Sequence, residues 1–116
     1  MSQELRDRTK RFALRVMKLY RALPMRGDAQ VVGRQLLRSA TSVAANYRSA
    51  LRARSRAEFT SKLGIVVEEA DEALFWLELL RDGEVLPAPQ LKEIIEEAEA
   101  IVAIFASGRS RAKTAR

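Results

Sequence analysis

Residues 35–55, QLLRSATSVAANYRSALRARS, constrain this chain more than any other stretch. Wound as a helix, they carry three stripes. Leu36, Ala40, Val43, Tyr47 and Leu51 recur at steps of four and three and form one apolar face. Gln35, Ser39, Ser42, Asn46 and Ser49 repeat that rhythm beside it, small and polar. Arg34, Arg38, Arg48 and Arg52 occupy a third side. A helix with one core to build needs only the first stripe. The second implies contact with another chain, so the segment reads as a helix inside a bundle that also meets a partner.

The rest of the chain supplies three more helices. Ser2 is a candidate N-cap for a first helix over about 3–22. Leu5, Phe12, Val16, Leu19 and Leu23 form its inward face, beside a basic ridge of Arg8, Arg11, Arg15 and Lys18. Pro24 and Gly27 break it, and Asp28 is placed to cap a second helix over about 29–53. Ser55-Arg-Ala-Glu58 has the form of a capping box, in which each end residue satisfies the other's amide. A third helix over about 56–82 follows, with a core seam of Phe59, Leu63, Val66, Ala70, Ala73, Leu77 and Leu80. Its outer side carries Ser61, Ile65, Glu68, Glu72, Phe75 and Leu79, with Gly64 and Trp76 at the edges. An outward phenylalanine and leucine at that spacing point to a partner surface. Asp82-Gly83 ends this helix. Leu91, Ile94, Ile95, Ala98, Ile101, Val102 and Phe105 mark a fourth over about 89–107, closed by Gly108. Residues 109–116 lack an apolar face and read as a basic disordered tail. The expected architecture is therefore all-α, an antiparallel up-down-up-down four-helix bundle over residues 1–108.

The chain has no cysteine and no histidine, which removes thiolate metal sites, the commonest general base and the commonest zinc ligand. No apolar run reaches the roughly 18 residues of a membrane span, and the N-terminus lacks the apolar segment of a signal peptide. The expectation is a cytoplasmic protein without membrane contact, cofactor or bound metal. The net charge of +6 is unevenly spread: residues 1–63 carry +11, residues 64–108 carry −9, and the tail carries +4. The halves can neutralise each other across helix contacts, or the basic half can face a polyanion.

Few residues suggest chemistry. Glu68, Glu69, Asp71 and Glu72, with Glu93, Glu96, Glu97 and Glu99, could hold Mg²⁺ on facing helices, in the manner of all-α nucleotide pyrophosphohydrolases. Abundant surface glutamate explains the same pattern as solvated faces and ion pairs. There is no phosphate-binding loop motif, and no nucleophile–base pair can be assembled. Asn46 in mid-helix reads equally as a register-fixing polar group or as a plain exposed residue. The arginines suit phosphate contacts, and no aromatic residue interleaves them, so base stacking is not indicated.

The run from Gln35 to Asn46 followed by Arg52-Ala-Arg-Ser-Arg-Ala-Glu-Phe59 resembles the signature of the four-helix bundle protein family, encoded in intervening sequences of bacterial 23S rRNA genes. Lys62-Leu-Gly-Ile65 and Glu69-Ala-Asp-Glu-Ala-Leu-Phe-Trp-Leu77 extend the likeness over nearly the whole chain. The resemblance implies a closed ring of five bundles and no catalytic residues. One basic branch, the accessory variability determinant proteins of diversity-generating retroelements, binds a reverse transcriptase and nucleic acid. The pI near 10.3 leans toward it. The expected function is thus a non-enzymatic homo-oligomer that binds RNA or DNA, or a nucleoprotein partner such as a reverse transcriptase. Arg8, Arg11, Arg15, Lys18, Arg34, Arg38, Arg48 and Arg52 are the expected phosphate contacts. Gln35, Ser39, Ser42, Asn46, Ser61, Ile65, Glu68, Glu72, Phe75 and Leu79 form the expected oligomer interface. A purely structural oligomer and a Mg²⁺-dependent nucleotide hydrolase are the competing readings.

Overall fold

The computed structural model describes residues 2–114 and comprises four helices: α1 (Gln3–Arg21), α2 (Gly27–Ala50), α3 (Arg56–Asp82) and α4 (Ala88–Thr114). They run up, down, up and down in a rod of 48 × 21 × 19 Å. At about 1.5 Å per residue, the 27 residues of α3 span nearly all of its length. One contiguous core fills the rod, including Phe12 and Val16 of α1, Leu36, Val43 and Tyr47 of α2, Leu63, Leu77 and Leu80 of α3, and Leu91, Ile101 and Phe105 of α4. The expected seams of α2, α3 and α4 turn inward, with Phe59 and Val102 half-buried at the rim. Leu5 and Leu19 are likewise half-buried.

Tyr47 anchors one end of the bundle. It is fully buried, stacks edge-on against Phe105 at 4.9 Å, and donates its hydroxyl proton to the Ser2 carbonyl at 3.2 Å. That bond gives the buried phenol the partner it requires and ties the start of α1 to α2.

The helix ends follow local chemistry with four departures from expectation. Ser2 caps α1 by accepting from the Leu5 amide, and Ser55 caps α3 by accepting from the Glu58 amide. The Glu58 carboxylate, however, accepts from the Arg54 amide rather than from Ser55. Asp28 does not cap α2. That helix starts two residues earlier, at Gly27, and Asp28 sits in its first turn, where its carboxylate accepts from the Ala29 amide and favours the positive helix end. At its other end α2 stops at Ala50, because the Arg52 and Ala53 amides turn back to the Ser49 and Ala50 carbonyls. Leu51, assigned to the core stripe, is therefore exposed. Finally, α4 does not end at Gly108, which is buried within it. Residues 109–114, expected to be disordered, form its last turns, and Ala112 packs on the core. The remaining tail residues, 115–116, lie outside the described range.

Candidate functional site

Two of the eight expected phosphate contacts are engaged within the chain. Arg8 grips Glu97 of α4 with two prongs, Nε–Oε2 and Nη2–Oε1, both 2.8 Å. The hydrogen bond from Arg8 holds the Glu97 carboxyl below its usual range against the opposing effect of burial, with help from the charges of Arg15 and Arg11. Arg38 bridges α2 and α3, with Nη1 at 3.0 Å from Glu69 and Nη2 at 3.5 Å from Glu72. It also donates to Ser39 and Gln35. Burial pushes the Glu69 carboxyl up, but hydrogen bonds with Glu72 and Ser42, and then Arg38, outweigh it and leave it lowered. Its neighbour Glu72 is raised, chiefly by the hydrogen bond with Glu69. Arg38 lowers both carboxyls, so the opposite shifts come from the hydrogen bond the two share. Among the described residues, no three acidic side chains converge as a metal site would require.

Arg11, Arg15, Lys18, Arg34, Arg48 and Arg52 are exposed and make no ion pair among the described residues. The antiparallel order adds cations that the linear sequence kept apart. The α2–α3 turn and the last turns of α4 share one end of the rod, as the Lys62–Ser49 hydrogen bond and the contact of Arg109 with Gly64 require. Arg54, Arg56, Arg109, Arg111 and Lys113 gather there beside Arg52. Glu58, the carboxylate of the turn, is occupied by its cap. Sequence reasoning missed this cluster because it left residues 109–114 without structure; the continuing i, i+4 pattern through Ala112 was the available signal.

The expected oligomer residues divide. Ile65, Phe75 and Leu79 are 41%, 49% and 38% exposed, large apolar groups on the side of α3 away from the core. Ser61, Glu68 and Glu72 share that side, and Gln35 is exposed beside it on α2. Ser39 is fully buried and unavailable to a partner. Ser42 and Asn46 are half-buried, and Asn46 donates its side-chain amide to the Ser42 carbonyl of its own helix at 2.9 Å. Trp76, edge-on to Phe75 at 5.1 Å, keeps its buried indole N–H without an acceptor.

Comparison with known proteins places this arrangement. A family model described as 23S rRNA-intervening sequence protein matches residues 2–107. The chain belongs to the 23S rRNA-intervening sequence protein family. A solved member of the S23 ribosomal protein family from Bacteroides thetaiotaomicron, described as a protein with unknown function, is 38% identical. The match covers 88% of this chain and 94% of that one, with a TM-score of 0.82. Comparison with curated proteins finds no match. In this 23S rRNA-intervening sequence family member, no helix of the described residues is long and apolar enough to cross a membrane.

Proposed function

We propose that this chain is a non-enzymatic bundle protein that assembles into a homo-oligomer and binds nucleic acid through its phosphates. The supporting observation is the surplus of exposed cations. Among the described residues only Arg8 and Arg38 of the eight expected contacts meet carboxylates, and the end cluster adds the exposed Arg54, Arg56, Arg111 and Lys113 to Arg52. Exposed arginines without intrachain partners suit a polyanion, and repetition around an oligomer multiplies the field. Assembly is supported by the outward Ile65, Phe75 and Leu79, whose exposure needs a partner to relieve it. A ring of five, as the resemblance implies, would repeat the surface fivefold. A reverse transcriptase holding its RNA would present the same phosphate chemistry.

The experiment is a solution mass measurement followed by a binding titration. The mass is expected at several times the 13.1 kDa of one chain. Phe75→Glu with Leu79→Glu should lower it while helicity by circular dichroism is kept. RNA and DNA duplexes of unrelated sequence should bind with similar affinity. A wild-type chain that stays monomeric at micromolar concentration, or an oligomer indifferent to nucleic acid at low salt, defeats the corresponding half of the proposal.

A further inference from the structure

The rod carries a second apolar surface, of opposite charge to the first. Between α1 and α2 runs an open groove of about 570 Å³ with a floor of small side chains, Ala13, Thr41, Ala44 and Ala45. Leu14 and Met17 stand along it, 51% and 38% exposed. Arg6, Lys10 and Arg48 line it against the single carboxylate Asp7. The outward side of α3 is the reverse. From Leu63 to Leu80 that helix carries five carboxylates and no cation; Arg38 of α2 engages Glu69 and Glu72, and Glu68, Asp71 and Glu78 make no ion pair among the described residues.

Resting on the assembly reading above, we infer that the α1–α2 groove of one subunit receives the α3 face of the next, residues 65–79, in a head-to-tail contact. The small floor lets a helix approach closely, and Phe75 and Leu79 supply the knobs that meet Leu14 and Met17. Charge decides against the symmetric alternatives. Pairing α3 with α3 brings Glu68 and Asp71 against their own copies, and pairing groove with groove does the same to Arg6, Lys10 and Arg48. Like charges so placed repel, whereas groove against α3 places cations opposite carboxylates. A contact between two different patches is heterologous, so it closes into a ring or grows into a filament and does not stop at a dimer. It also assigns Arg48 to subunit pairing and leaves the ridge of α1 and the end cluster to a polyanion.

Two variants and their mixture test this. Leu14→Glu/Met17→Glu spoils the groove, and Phe75→Glu/Leu79→Glu spoils the face. All four positions are exposed, so both variants should fold, as circular dichroism would verify. Each alone is expected to be monomeric. Mixed in equal amounts at high micromolar concentration, they should form one-to-one heterodimers, since one intact groove meets one intact face and the two spoiled surfaces repel. A groove variant that assembles like the wild type, or a mixture that stays monomeric while the wild type is an oligomer, overturns the head-to-tail contact. A monomeric wild type instead overturns the assembly reading itself.

Discussion

Arg8 and Glu97 are 89 residues apart in sequence and meet in a two-pronged ion pair at 2.8 Å on each prong. The pair bridges α1 and α4, closing the bundle between its first and last helices. Because the folded-state pKa of Glu97 is depressed, its contribution is present above the usual carboxylate range and is lost as pH falls through the folded pKa. Glu97→Gln should lose about 1 kcal/mol at neutral pH, the modest size reflecting partial solvent exposure of Arg8. In urea unfolding, the gap between wild type and variant should shrink as the acid is titrated. A gap independent of pH would sink this account.

Two buried helical glycines should answer alanine in opposite ways. A Cβ at Gly33 would meet Leu23 at 2.5 Å and Tyr20 at 3.1 Å. Leu23 is itself buried, so overpacking should exceed the roughly 1 kcal/mol gained in helix propensity, and Gly33→Ala should destabilise by about 1 kcal/mol. At Gly64 the nearest atoms to a Cβ would be those of the Arg109 guanidinium, at 3.0–3.2 Å, on a half-buried but flexible side chain. Gly64→Ala should therefore stabilise by about 0.5 kcal/mol as Arg109 swings aside. Thermal melting of the two variants distinguishes the cases by sign.

Glu84 adopts φ 56° where α3 turns into its connection. The Val85 amide bonds to the Leu80 carbonyl and the Glu84 amide to the Arg81 carbonyl, the pattern of a Schellman cap whose left-handed position usually holds glycine. Glu84→Gly should raise stability by about 1 kcal/mol by relieving the clash between Cβ and backbone. An unchanged or lower melting temperature counts against the assignment.

If nucleic acid is bound through phosphates, log K should fall linearly with log salt, with a slope of about −0.9 per duplex phosphate neutralised. Reversing Arg11 and Arg15 to Glu, and separately Arg54, Arg56 and Arg111, should weaken binding to all sequences and flatten the slope. Charge reversal is the cleaner test at the rod's end, because truncation after Gly108 would also remove Ala112 from the core. Sequence-selective loss in either variant would argue for base contacts instead.

Local chemistry carried much of this protein. Four apolar seams at helical spacing, two serine caps and the end of α3 at Asp82 were written in neighbouring residues, although Glu84 and not Gly83 takes the left-handed position there, and the bundle followed because each amphipathic helix has one face to bury. The outward Phe75 and Leu79 were legible for the same reason: seven-residue periodicity separates faces without any knowledge of a partner. What the sequence could not assign was the company each residue keeps. Arg38 and Arg34 sit on one stripe, yet only Arg38 finds Glu69 and Glu72, since that depends on the antiparallel register of α2 against α3. Ser39 and Gln35 share a stripe too, but packing in the bundle buries the serine and leaves the glutamine in solvent. The end cluster of cations exists only once the bundle brings residues 52–56 beside 109–113. Side-chain periodicity is a property of one helix. Which charges meet and which stay free is settled by how four helices rotate and slide to fill a common core.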